Sequence, residues 1–343
     1  MRDETLTSRK NRHLEYFQRG CTDRGDPGFQ GVSLRQSALS SVFPEEVQLQ
    51  TSFLGATLGA PFFIAPITGG TPEGEAFNRA AARCAARLRL PMATGSLRVL
   101  FEQPETFSTF DVNAHGELPL FFGNLGAAAA LRLGADRVRE LCDRLRMDGL
   151  YIYFNHAQEL VQPVAEHHRF ELSELPEFIT RLGLPVLIKE TGMGFSPNDL
   201  STISKWPVAG LDTSGAGGSN FFHVEWSNNL DSSENIWEIP LQMGIPTALV
   251  IHFANRYEFP IIGSGGIRSG LDMARAFALG ADLISCAAPL VFAWSRDPEG
   301  GIDGWITDRL AQLRQVMSLC GAADPAALKL QPVTLAPGFG EAI

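Results

Sequence analysis

The sequence has no apolar signal core at its start, MRDETLTSRKNRH, and nowhere an uninterrupted apolar run of 18 residues. Neither export nor a membrane span is expected, because a crossing helix needs about 20 apolar residues. Cysteine is scarce: Cys21, Cys84, Cys142, Cys286 and Cys320 are scattered, odd in number and without C-x-x-C spacing. That pattern indicates neither a disulfide framework nor a zinc site, and it fits a reducing cytoplasm. A basic excess is absent as well. With 28 Lys and Arg against 38 Asp and Glu the formal charge is -10, so no general attraction to nucleic acid or anionic lipid is expected. What is present is a chain of 343 residues, 45% hydrophobic and 19% charged, the composition of a globular protein with a sizeable core.

From about residue 60 onward, short apolar runs alternate with segments of helical period, the pattern of parallel βαβ units. Eight runs read as strands: PFFIAPI (61–67), PMATGS (91–96), LPLFFGN (118–124), GLYIYFN (149–155), PVLIKET (185–191), VAGLDTS (208–214), PIIGSGG (260–266) and DLISCAA (282–288). Between them lie helices such as GEAFNRAAARCAARLRL, apolar on one face and arginine-rich on the other. Eight units over this length predict a single closed (β/α)8 barrel, the TIM-barrel fold, rather than an open doubly wound sheet. The division expected is residues 1–55 as an N-terminal extension, packed on the barrel or reaching a neighbouring subunit, and 56–343 as the barrel. The polar stretch 219–238 reads as a long loop after the sixth strand.

In such a barrel the chemistry sits at the carboxyl ends of the strands. These ends are rich in small and hydroxyl residues: Thr68-Gly69-Gly70, Gly95-Ser96, Gly123-Asn124, Ser214-Gly215-Ala216-Gly217-Gly218 and Ser264-Gly265-Gly266. One glycine pair alone signals only a tight turn; five such ends together point to a flat, polar-edged ligand lying close to the backbone. Gly265 and Gly266, followed by Arg268 and a helix, read as a phosphate cradle of exposed N–H groups. Lys189, a charge within an apolar strand, is expected to face the same mouth, where it would stabilise an anionic reduced flavin ring.

These pieces, in order SRKNRH, APITGGTPEGEAFN, TGSLR, NLGA, NHAQE, IKETGMG, DTSGAGGSNF, MGIPT and SGGIRSGLDMARAFALGAD, give the chain its resemblance to the FMN-dependent type 2 isopentenyl-diphosphate isomerases. The resemblance covers nearly the whole chain and implies FMN contacts from Thr68, Gly69, Ser96, Asn124, Lys189, Ser214, Gly265, Arg268, Ala287 and Ala288. It implies that Gln158 is catalytic, beside the substrate's alkene, and that Glu159 binds Mg2+ bridging the diphosphate. Arg9, Lys10, His13, Arg98 and Asn155 are implied at the small-molecule diphosphate substrate. The implied reaction moves a double bond by adding and removing protons without net redox, NADPH serving only as reductant of the flavin. A homo-oligomer is also expected.

Three places depart from the family pattern: Leu97 stands for a glutamine, Tyr153 for a histidine, and Pro163-Val164-Ala165-Glu166 for P-E-G-D. They leave open an FMN-dependent oxidoreductase or an isomerase paralogue with another substrate. A hydroxy-acid oxidase is disfavoured, because the loop after strand six carries no histidine base, and a flavin-binding scaffold has no use for the Gln158-Glu159 pair. His156 is expected to restore some polarity lost at Tyr153, and His167 and His168 to be a surface cluster.

Overall fold

The computed structural model describes residues 6–20, 25–161, 170–228 and 243–341. Eight parallel strands close into a barrel in sequence order: β1 (Phe62–Ile64), β2 (Met92–Ala93), β3 (Phe121–Gly126), β4 (Gly149–Tyr153), β5 (Val186–Lys189), β6 (Gly210–Asp212), β7 (Ile261–Ser264) and β8 (Leu283–Cys286). The eighth pairs with the first, Ile284 opposite Phe62. All eight expected strands are found, most of them shorter than their apolar runs. The trailing Gly, Ser and Thr residues leave the ladder and build the mouth instead.

The strand interiors fill the barrel. Phe63, Ala93, Phe122, Tyr151, Leu187, Ile262 and Leu283 form one buried layer, in which Phe63, Phe122 and Tyr151 meet edge to face at 5.5–5.8 Å. From below, Phe53 and Leu58 of a two-stranded hairpin join this layer. The hairpin turns at Leu54 and Gly55, both at positive φ, the twist that tight hairpins require. The boundary drawn at residue 55 from the sequence runs through this turn. Outside the strands, a second and larger core lies between barrel and helices.

Seven helices matter for the site: α1 (Leu6–Gln18), α2 (Pro72–Leu88), α3 (His156–Leu160), α4 (Phe221–Asn228), α5 (Gly270–Leu279), α6 (Ala288–Arg296) and α7 (Gly301–Cys320). Helix α1 of the extension packs on the barrel, burying Leu14 and Phe17 and setting Gly20 against the ring of Phe292 in α6. Farther on, Val32–Leu34 pairs antiparallel with Val333–Leu335. Helix α4 corrects the expectation of a loop at 219–238. The Asn220 side-chain oxygen accepts from Phe222 N at 3.0 Å, a local cap that starts a helix burying Phe222, His223, Val224 and Glu225. Residues 229–242, 162–169 and the expectations placed on them, including His167 and His168, lie outside the described residues.

Candidate active site

Two cavities open at the carboxyl end of the barrel. The first encloses about 660 Å³ and is walled by the ends of β1 and β5 to β8, including Lys189, Ser214, Gly265, Arg268 and Ala287. The second, about 560 Å³, lies over β3 and β4 and is lined by Arg9, Lys10, Ser96, Arg98, Tyr153, Asn155, Gln158 and Glu159.

The wall of the first cavity is a lattice of short-range bonds around Asp212. Ser214, at φ 39, is held in this left-handed conformation because its amide and hydroxyl donate to Asp212 Oδ1 at 3.1 and 2.9 Å. Ser264 Oγ donates to the same oxygen. Asp212 Oδ2 is buried with no hydrogen-bond partner among the described residues, and across the ladder Asp212 is in register with Lys189. Burial presses the Lys189 ammonium below its ordinary pKa, while the charges of Asp212 and Glu190 oppose that shift. The lysine donates to Glu190 O at 2.5 Å, whereas the Glu190 carboxylate turns away to accept from the amides of Gly192 and Met193. Lys189 therefore faces the mouth, as its place in the strand predicts.

The glycines after β7 need a different account from the one expected. A side chain on Gly265, at φ 105, would overlap Gly215 O, and one on Gly266 would overlap Gly217 O. Their missing side chains thus admit the loop after β6, not a ligand. Arg268 locks the two loops, donating to Gly266 O at 3.1 Å and Gly217 O at 2.6 Å. The amides themselves are left available: among the described residues, none accepts from Gly266 N or Ile267 N. Ala287 precedes α6, whose first residue, Ala288, is buried.

At the strand ends, Thr68 Oγ1, Thr94 Oγ1, Asn124 Oδ1 and, on the wall of the first cavity, Ser285 Oγ are buried and have no hydrogen-bond partner among the described residues. Orphaned polar atoms at barrel strand ends cost free energy unless a ligand completes them. They suit a polar-edged isoalloxazine ring with its phosphate at the Gly266 and Ile267 amides, so the residues present fit FMN. Gly69 sits against Phe110, and its carbonyl accepts from Lys10 at 2.6 Å. Ser96, implied as a flavin contact, lines the second cavity instead of the first.

The second cavity gathers three cations in a chain of net charge -10. Lys10 donates to Gly69 O and, at 3.1 Å, to Ser96 O, pinning α1 across the mouth. Burial, and then the charges of Arg98 and Arg9, lower its pKa to about 7. Beside it, Glu225 of α4 is 1% exposed and accepts from His13 Nε2 at 2.9 Å and Gln158 Nε2 at 3.0 Å, with Arg9 Nε at 3.8 Å. Burial alone would raise the Glu225 carboxyl; the hydrogen bond and charge of His13, then Arg9 and Gln158, outweigh it and hold the carboxyl below its ordinary value. Sequence reasoning missed both Glu225 and Asp212. Glu159 lines the cavity as a single carboxylate, and among the described residues no three His, Cys, Asp or Glu side chains cluster to hold a metal. His156 is exposed and does not line the cavity, so the polarity expected of it is not supplied there.

A closed parallel barrel with open amides after β7 and a half-buried lysine on β5 is the frame of an FMN-binding (β/α)8 enzyme. Residues 152–334 match the model of the FMN-dependent dehydrogenase family. Among curated proteins, the isopentenyl-diphosphate delta-isomerase of Synechococcus sp. is 36% identical, over 98% of this chain and 98% of that protein. Those of Methanosarcina barkeri (34% identical, over 96% and 92%) and Paracoccus zeaxanthinifaciens (33%, over 96% and 97%) are similar. The chain belongs to the isopentenyl-diphosphate delta-isomerase family, in its FMN-dependent form. Among solved structures, a flavocytochrome b2 with benzoylformate (TM-score 0.70, 15% identity, over 94% of this chain and 82% of that one) and a mandelate oxidase with an FMN adduct (0.64, 16%, over 95% and 92%) share the fold alone.

Proposed function

We propose that this protein converts isopentenyl diphosphate to dimethylallyl diphosphate, with FMN in the first cavity and the substrate's diphosphate in the second. The observation that carries the reading is the junction of α1, α3 and α4, where Gln158 is fixed by Glu225 beside a pocket of three cations. Arg9, Lys10 and Arg98 supply charge for phosphate oxygens, and Asn155 adds a polar wall. Glu159 supplies one ligand for Mg2+, which characteristically completes its shell with phosphate oxygens and water. That preference accounts for a single carboxylate where a protein cage would need several.

Reduced FMN, when bound, supplies the acid/base group for the proton transfers, and NADPH serves to reduce it. The chain's own part is to bind, orient and dry. Thr68, Asn124, Ser214 and Lys189 would hold the ring edge, Lys189 favouring its anionic reduced form. The Gln158 amide nitrogen is committed to Glu225, so the amide is held in one orientation toward the alkene. Helix α1, pinned by Lys10 and His13, shuts water from a developing tertiary cation. No histidine base stands in the loop after β6, which disfavours hydroxy-acid oxidation. A cytoplasmic homo-oligomer completes the proposal; Leu39, Phe43 and Leu319, exposed where residues 37–42 bond to the end of α7, support an association surface.

The test is anaerobic incubation of purified protein with reduced FMN, Mg2+ and isopentenyl diphosphate, followed by product analysis. Isomer should form without stoichiometric NADPH consumption. Flavin oxidation or reduction in proportion to substrate, with no isomer, defeats the proposal.

A further inference from the structure

Of the residues that depart from the family pattern, Leu97 and Tyr153 have opposite fates. Leu97 is fully buried in the core, its side chain reaching the neighbourhood of Gly123, so it offers the ligand nothing. Tyr153, the last residue of β4, lines the second cavity, and its hydroxyl donates to Ser96 Oγ at 3.1 Å. Its ring lies against Gly126 at the end of β3: a methyl group there would stand 3.2 Å from Tyr153 Cε2 and Cζ and 3.3 Å from the hydroxyl oxygen. Gly126 has φ -68, which every residue adopts, so the glycine is explained by the ring and not by the backbone. Ser96 is held on its other side as well, its carbonyl accepting from Lys10 at 3.1 Å.

A serine hydroxyl has one proton and two lone pairs. Because Ser96 Oγ accepts from the phenol and, at 3.5 Å, from Arg98 N, both its lone pairs are engaged and its own proton remains to be donated into the cavity lined by Arg9, Lys10 and Arg98. From this geometry we infer that Tyr153 is a specificity-determining residue for the diphosphate end of the substrate, acting through Ser96: the phenol orients the serine as a donor to a phosphate oxygen, and the ring against Gly126 fixes the cavity wall. Tyr153 thereby supplies the hydrogen bonding that Leu97, withdrawn into the core, does not. The inference rests on the diphosphate reading of this cavity but not on turnover.

The experiment compares wild type, Tyr153→Phe, Ser96→Ala, the double variant and Gly126→Ala, each loaded with FMN and Mg2+. Calorimetry reads the Kd of inorganic pyrophosphate, and steady-state assays read KM and kcat for isopentenyl diphosphate. Loss of one neutral hydrogen bond predicts a roughly fivefold rise in Kd and KM for Tyr153→Phe, with kcat within about twofold. Ser96→Ala should weaken pyrophosphate by a similar factor and the double variant by no more than either, since the two act as one unit. Gly126→Ala, which keeps the phenol but crowds the ring out of its seat, should raise Kd in the same direction. A structural role alone would lower the melting temperature and flavin content together without splitting KM from kcat. Fully additive effects, an unchanged pyrophosphate Kd in Tyr153→Phe, or a wild-type protein that binds no pyrophosphate overturns the inference. Pyrophosphate binding with no isomerisation would defeat the proposed reaction while the Tyr153 comparison still decides this point.

Discussion

Replacing Glu225 by glutamine tests the junction of three helices with almost no change of shape. The carboxylate accepts from His13 and Gln158 at 2.9 and 3.0 Å while 1% exposed, so neither bond is relayed by bulk water. In Glu225→Gln the side-chain oxygen still accepts from both, but as a neutral group. Charge-assisted bonds contribute about 1.5–3 kcal/mol against about 0.5–1.5 for neutral ones. Two weakened bonds therefore amount to roughly 2–3 kcal/mol. If Gln158 must be held for the reaction, that loss appears as a fall in kcat of roughly 30- to 150-fold. The assay is isomer formation at saturating substrate, with flavin content measured on the same preparation and expected to stay at wild-type level. The linkage has a definite sign. Because the folded carboxyl lies below the ordinary glutamate value of about 4.3, its contribution to stability is complete above that pH and is lost as pH falls through the folded pKa. The melting-temperature gap between wild type and Glu225→Gln should thus be widest near neutrality and shrink as pH falls below about 4.3. A variant with kcat within threefold of wild type would refute the reasoning.

Three further outcomes are expected. Lys10, with a pKa near 7 against 10.5 in the open chain, is costly to bury as a cation, and relief of that cost makes stability rise with pH between about 7 and 10; its upper bound is about 5 kcal/mol. Lys10→Met should flatten this rise in urea titrations and remove the weakening of pyrophosphate binding as pH climbs through 7; an unchanged pH dependence would discard the assignment. Gly265→Ala should lose at least 100-fold in FMN affinity, read by fluorescence quenching, because the added carbon overlaps Gly215 O; normal flavin content would show that the loops yield. Glu159→Gln should raise the Mg2+ concentration for half-maximal activity tenfold or more with FMN retained, and an unchanged requirement places the metal elsewhere.

The barrel was legible because its strands are buried on both faces, so each reads as a continuous apolar run without helical period. Strand ends were legible for a related reason: Gly, Ser and Thr follow most of these runs, and only small Ala residues follow the eighth. Lys189 stood out as a charge in such a run, and its register opposite Asp212 explains its tolerance there. Asp212 itself was hidden, since an aspartate before Thr-Ser-Gly looks like a turn residue until Ser214 and Ser264 are seen bonded to it. Glu225 was hidden more deeply. Its partners come from residues 13 and 158, and nothing local in FFHVEWSN tells a buried carboxylate from a solvated one. Gly265 and Gly266 were read as bare for a ligand's sake, whereas a side chain on either meets the loop after β6, because sequence cannot tell whether a bare α-carbon makes room for a ligand or for another loop.

Helix α1 carries Arg9, Lys10 and His13 near the start of the chain, yet the surface it rests on includes Phe292 in α6, close to the end. During synthesis these first cations emerge from the ribosome long before their seat exists. The cavity that α1 closes therefore cannot be completed until α6 has been made, and a chain interrupted before α6 lacks one wall of the seat of its own first helix. Closure of that cavity thus waits on contacts that span most of the sequence, the kind that form slowly.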